Sequence, residues 1–166
     1  MTTALNRSLA VLSGIALLSS VTPALAEKIS AEQAKAAIAP FYAALTVGTD
    51  KNARQLIEKV TTEQWVSCNS NESCAPRENV IKSIEGLGKI IPDLSWEMKE
   101  VLVDGNKVIV RGEATGTPAA DFMGVPHAGK SFKVMSIDIH ELKDGKMHRS
   151  HHIEDWMGVT RQLSAK

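Results

Sequence analysis

The stretch HHIEDWMG, residues 151–158, places His151, His152, Glu154 and Asp155 within five positions near the end of a 166-residue chain. Imidazole and carboxylate side chains at this density can move protons at neutral pH or ligate a metal ion. Upstream, Glu141 and Arg149 add an acid and a fixed cation. Cys68 and Cys74 stand six positions apart in CNSNESC. Which chemistry these groups can do depends on which of them share a face, and the elements that carry them decide that.

The segment SAEQAKAAIAPFYAAL opens with Ser30 as a helix N-cap and Gln33 three residues later, the capping-box pattern. Its apolar positions Ala34, Ala37, Ile38, Phe41 and Leu45 recur at helical spacing, and Pro40 is expected to kink or split the helix. DKNARQLIEKV predicts a second helix capped by Asp50, and RENVIKSIEGLGKII a third running into Pro92. Beyond Pro92 the pattern alternates. LSWEMKEVLVDGNKVIVRGEATGT reads as a hairpin around Asp104-Gly105-Asn106, and KSFKVMSIDIHELKDGKMHRSHHIED as another around Lys143-Asp144-Gly145. Helices followed by antiparallel strands predict an α+β fold, a curved antiparallel sheet wrapped around N-terminal helices.

The last hairpin admits two registers. A two-residue Asp-Gly loop pairs Lys143 with Lys146 and puts Ser136, Asp138 and His140 on one face with Met147, Arg149 and His151. A three-residue loop with a bulge at Gly145 unites Met135, Ile137, Ile139, Met147 and Ile153 instead. Since register follows the hydrophobic pattern, the second is preferred, with that set facing the core. Glu141, Arg149, His151 and Asp155 then also point inward, while Asp138, His140, His148, Ser150, His152 and Glu154 point out. This division leaves His151 and Asp155 on one side and the other histidines on the opposite side, so no single metal ion can collect them. No metal or other cofactor is expected.

The first residues, MTTALNRSLAVLSGIALLSSVTPALAEK, join Arg7, an apolar run and the small-x-small site Ala24-Leu25-Ala26. They read as a signal peptide over 1–26, cleaved before Glu27 and leaving one domain over 27–166 in the periplasm or outside the cell. Serines and Pro23 interrupt the run short of the roughly 20 apolar residues that a membrane span needs, so no stable membrane insertion is expected. In such an oxidising compartment Cys68 and Cys74 are expected to close a disulfide across a polar loop. The formal net charge is zero, so there is no basic field to attract nucleic acid. No nucleophile elbow, P-loop or dinucleotide fingerprint is present, which argues against serine acyl transfer and nucleotide chemistry.

From Pro92 to the end the chain resembles the SnoaL-like polyketide cyclases of the nuclear-transport-factor-2-like superfamily. The residues that carry the likeness are PDLSWEMKEVLVDGNKVIVRGEATGT, DFMGVPHAGKSF, IDIHELKDGKM and DWMGVTRQL, in the family's order and spacing. The resemblance implies a cone-shaped α+β barrel enclosing a cavity for a small hydrophobic molecule. It also implies acid/base proton transfer in an intramolecular aldol closure by an aspartate at the position of Asp155, with no cofactor. His151, four positions back, could relay its proton, and Arg149 and Glu141 could contact substrate. Trp65, Tyr42, Phe122 and Met123 are the expected pocket-lining residues. Where many relatives read Glu-His-Trp after the DGK turn, this chain has Arg149, Ser150 and His151, so the acid/base position is kept while its surroundings differ. The resemblance further implies a homodimer through the outer sheet face, where His140, His148 and His152 would make contact pH-sensitive. The alternative function is a non-catalytic ligand-binding or dimerisation module.

Overall fold

The computed structural model describes residues 29–46 and 52–165. The leader expected over 1–26 lies outside them. Helix α1 (Ala31–Leu45) begins at the capping box anticipated from Ser30 and Gln33, with both reciprocal bonds formed, and continues through Pro40 without splitting. Its buried residues Ala34, Ile38, Phe41 and Tyr42 form one stripe at helical spacing. The N-cap of α2 (Ala53–Val60) is Asn52, whose side chain accepts from the Gln55 N–H; Asp50, the expected cap, lies outside the described residues. After strands β1 (Thr61–Cys68) and β2 (Cys74–Pro76) comes α3 (Arg77–Ile90).

Both predicted hairpins form: β3 (Ser95–Asp104) with β4 (Lys107–Gly116), and β5 (Phe132–Lys143) with β6 (Lys146–Glu154). A short α4 (Trp156–Ser164) ends the described chain. The six strands form one sheet in the order β2-β1-β6-β5-β4-β3. The expected wholly antiparallel sheet is corrected in one respect, because β1 runs parallel to β6. The fold is α+β, with the core lying between α1, α2 and α3 and one sheet face.

At the β5–β6 turn the structure departs from the expected register. Lys143 pairs with Lys146, leaving Asp144 and Gly145 as a two-residue loop, both with positive φ (52° and 73°), the conformation for which Asp-Gly is suited. A bulge then inserts one extra residue on β6, so that Leu142 faces Met147 but Glu141 faces Arg149. Beyond the bulge Ile139 pairs with His151 and Ile137 with Ile153, so most of the expected co-facial set does share a face. That face is turned away from the helices: Met135, Ile139 and Ile153 are 55 %, 38 % and 68 % exposed. The side that meets the helices carries Ser136, Asp138 and His140 from β5 and Ser150, His152 and Glu154 from β6. The expectation that these groups point out and that Glu141, Arg149, His151 and Asp155 point in is therefore corrected. Apolar content misled because the polar set finds hydrogen-bond partners when it is buried: among the described residues no buried side-chain nitrogen or oxygen lacks a partner.

Candidate functional site

Between α1, α3 and the inward sheet face lies a cavity of about 600 Å³, within the range of small-molecule sites. Leu45 from α1 and Val80, Ile84 and Leu87 from α3, at positions i, i+4 and i+7, supply apolar walls; Phe41, Trp96 and Trp156 add aromatic surface. Ser67 and the β2 residues Cys74 to Pro76 form part of the rim. Polar chemistry enters from two adjacent strands, with Asp138 and His140 on β5 and Ser150, His152 and Glu154 on β6.

Asp138 is almost wholly buried, at 4 % exposure. Oδ2 accepts from the Tyr42 hydroxyl at 3.1 Å and from Ser136 Oγ at 3.3 Å. Oδ1 has no bond to a described residue, and since no buried polar atom there is unpaired, Oδ1 is the oxygen open to the cavity. Burial first, and repulsion from Glu154 second, push the carboxyl up to about 6. The Tyr42 hydroxyl is likewise pushed up, by burial and then by Asp138.

His152 is held from behind. Its Nδ1 lies 2.8 Å from Glu154 Oε1, while Glu154 Oε2 accepts from Trp156 Nε1–H at 3.0 Å. Directed to Glu154 through Nδ1, the ring leaves Nε2 as the nitrogen for a ligand. The hydrogen bond to Glu154 raises its pKa against the opposing effect of burial, and Asp138 adds to the rise. His140 behaves oppositely. It is fully buried, bonded through Nε2 to Tyr42 Oη (2.9 Å) and through Nδ1 to Ser150 Oγ (2.8 Å). Burial drives its pKa down to about 3, so it is neutral at physiological pH.

A close backbone approach makes room for part of this network. Trp96 on β3 reaches across β4 to donate from Nε1 to Ser136 Oγ at 3.2 Å. It crosses at Gly112, where a Cβ would stand 2.5 Å from Ser136 Oγ and 3.1 Å from the indole nitrogen.

The residues expected to act are distributed differently. Asp155 is not in the final strand but at the N-cap of α4, where Oδ1 accepts from the Gly158 N–H at 2.7 Å and Oδ2 lies 3.6 Å from Arg161. The second half of HHIEDWMG is thus a helix start, and Gly158 is its complement, since a Cβ there would collide with the Asp155 carboxylate. His151 is exposed on the outer sheet face. Arg149, on that face too, puts Nη1 3.5 Å from Cys68 Sγ and 3.7 Å from Cys74 Sγ. It makes no ion pair with its ladder partner Glu141. Cys68 and Cys74 form the anticipated disulfide.

Trp65 and Tyr42 are buried in the core behind the cavity wall; Trp65 Nε1–H donates to Ser150 Oγ at 3.0 Å. Phe122 stands edge-on to Trp156 with ring centroids 6.2 Å apart, and Met123 is 51 % exposed; neither lines the cavity. Among the described residues no group of three or more His, Cys, Asp or Glu is placed to hold a metal ion. No helix among them is long and apolar enough to cross a membrane.

Sequence reasoning passed over Asp138, His140, Ser150, His152 and Glu154 as inward groups. The signal that could have found them was Asp144-Gly145, whose residue types favour the two-residue turn. The extra residue that restores the later pairing has no comparable signature.

Comparison with known proteins agrees with this architecture. No curated protein matches the chain significantly. Among solved structures it is similar to a SnoaL-like protein from Jannaschia sp. CCS1, at TM-score 0.70 and 22 % identity over 81 % of this chain and 94 % of that one. It is similar to TsrD from Streptomyces laurentii at TM-score 0.70 and 22 % identity, over 84 % and 100 % of the two chains. A SnoaL-like polyketide cyclase from Agrobacterium tumefaciens is similar at TM-score 0.65 and 17 % identity, over 79 % and 98 %. These likenesses establish the SnoaL-type cone fold. The profile of the SnoaL-like polyketide cyclases matches residues 36–163, most of the chain, and the protein belongs to that family.

Proposed function

We propose that the cavity binds a small, mostly apolar carbonyl compound and that Asp138 and His152 move protons on it without a cofactor. The observation that carries this reading is the pair of atoms left open to an otherwise largely apolar site, Asp138 Oδ1 and His152 Nε2. Burial tunes Asp138 to a useful base. A carboxyl at about 6 is ionised at pH 7 yet holds a proton far better than an exposed one. Asp138 Oδ1 takes a proton from the carbon next to a carbonyl, and the released electron pair moves onto the carbonyl oxygen. His152, whose proton is held more tightly by its bond to Glu154, donates from Nε2–H to that oxygen. In a cyclisation the enol carbon then bonds to a second carbonyl carbon of the same molecule. The first oxygen returns its proton to His152, and the new alkoxide takes the proton from Asp138. In an isomerisation Asp138 returns the proton to a different carbon, the carbonyl re-forms, and the oxygen returns its proton to His152.

Asp138→Asn tests the reading. An enzyme loses turnover of a hydrophobic dicarbonyl while keeping affinity for it. A variant that turns over the substrate like wild type sinks the proposal; a wild-type protein that binds the compound and never converts it supports the non-catalytic alternative.

The outer face supports the expected homodimer. Leu102, Ile109, Ile139 and His151 are successive ladder neighbours across four strands, and Ile137 and Ile153 lie alongside. An exposed apolar patch of this kind suits a second copy. Of the histidines expected there, His140 and His152 face the cavity and His148 is half-buried with Nδ1 3.1 Å from Thr62 Oγ1, so the exposed His151 is the histidine placed in such a contact. Ile153→Lys should shift sedimentation toward the monomer; unchanged mass would remove the dimer from this face. The disulfide supports an exported protein, with 1–26 as its leader and the periplasm or exterior as its destination.

A further inference from the structure

Asp138 is one end of a chain of buried hydrogen bonds whose direction is fixed by elimination. Trp65 Nε1–H can only donate, and it donates to Ser150 Oγ at 3.0 Å. At the other end the Tyr42 hydroxyl gives its single proton to Asp138 Oδ2. Tyr42 Oη therefore has only a lone pair for His140 Nε2, 2.9 Å away, and that nitrogen must carry the hydrogen. A neutral imidazole has one N–H, so His140 Nδ1 accepts, and Ser150 supplies the hydrogen across 2.8 Å. Every bond thus points the same way: Trp65 to Ser150, Ser150 to His140, His140 to Tyr42, and Tyr42 to Asp138.

The five residues come from α1, β1, β5 and β6, and all are buried. Ser136, itself accepting from Trp96, supplies a second donor to Oδ2. Oδ2 is saturated from behind, and the free position is Oδ1, on the cavity side. The other titratable groups near this chain are Glu154, which opposes the Asp138 charge, and His152, which favours it.

We infer that Tyr42 and His140 are positioning residues, a one-way donor chain holding His140 neutral in its Nε2–H tautomer and reserving Asp138 Oδ1 as the proton-accepting oxygen. Their action on a reaction rests on the function proposed above; the tautomer and the direction of the chain do not. The chain also explains a cost the fold accepts. Burying Ser150, His140 and Asp138 where apolar side chains would pack is justified if the acceptor oxygen must be held in one orientation.

The test is nitrogen-15 NMR of the whole protein labelled in histidine, with the Asp138 carboxyl followed by carbon-13 shift across a pH series. The expected result at pH 7 is a His140 ring protonated on Nε2 and bare on Nδ1. Tyr42→Phe removes the donor to Oδ2 and should raise the proton affinity of Asp138 about tenfold. The acid limb of turnover should move with it, with little change in KM. Ser150→Ala should release the tautomer, and Ser150→Thr, which keeps the hydroxyl, should restore it. A His140 hydrogen on Nδ1, a charged His140, or an Asp138 titration unmoved in Tyr42→Phe overturns the inference. If Tyr42→Phe does not fold, the serine pair and the wild-type tautomer still decide it. Turnover that survives Asp138→Asn would refute the proposed reaction and leave the tautomer result standing.

Discussion

Replacing Asp138 by asparagine should make the protein more stable at neutral pH. In the native state burial and Glu154 hold the Asp138 proton until about pH 6, whereas an unfolded chain releases it near the ordinary 3.8. Between those values the native state binds more protons than the unfolded one, so stability falls as pH rises through the window. At roughly 1.4 kcal/mol per pH unit the ionised carboxylate costs the fold about 3 kcal/mol above pH 7 and under about 1 kcal/mol at pH 4. Asparagine keeps an acceptor oxygen for Tyr42 and Ser136 and carries no charge, so it mimics the protonated acid. Any misfit of its amide adds an offset that does not depend on pH. Urea unfolding of both proteins, followed by tryptophan fluorescence from pH 4 to 8, isolates the term. The stability of the variant relative to wild type should grow by about 2.5 kcal/mol across the range. A difference that stays flat with pH would refute the reasoning, because Asp138 would then titrate like an exposed carboxylate.

The other predictions concern the groups around it. A pH profile of turnover should be bell-shaped, its acid limb near the Asp138 value of about 6 and its alkaline limb set by His152, above the usual imidazole range. Glu154→Gln removes the ion pair at 2.8 Å and should lower both limbs. A profile shifted upward would contradict the assignment. The same variant should lose about 1 kcal/mol of stability at pH 6. His152 is raised in the folded state, so its contribution is fully present below the ordinary value of 6.5 and is lost as pH rises through the folded pKa; thermal melts at pH 6 and 9 should show the gap closing. Replacing Cys68 and Cys74 together by serine opens a loop with a sequence separation of six. Chain entropy predicts a loss of about 2 kcal/mol, read from denaturant midpoints; a loss near zero would show that the β1–β2 pairing holds the loop unaided.

Much of this protein was legible in its residues. The capping box at Ser30, the helical stripe through Ala34, Ile38 and Phe41 and the positions of the two hairpin turns are local signals, encoded within a few positions, and they appear where expected, although the second turn is one residue shorter than its apolar pattern suggested. So does the bond between Cys68 and Cys74, which spans a short loop. The motifs from Pro92 onward placed the chain in its family. What proximity along the chain could not decide was which sheet face is inside. Met135, Ile137, Ile139 and Ile153 do lie together, as their alternation required, but the helices cover the other side. Alternation fixes which residues are co-facial; it does not fix which face the helices take when both faces are stable. The polar face becomes acceptable only when Tyr42 from α1 and Trp65 from β1 arrive to pair with Asp138 and Ser150, residues 96 and 85 positions away. The same long-range assembly moved the proposed chemistry from Asp155, which a helix start engages, to Asp138, which tertiary burial makes a base.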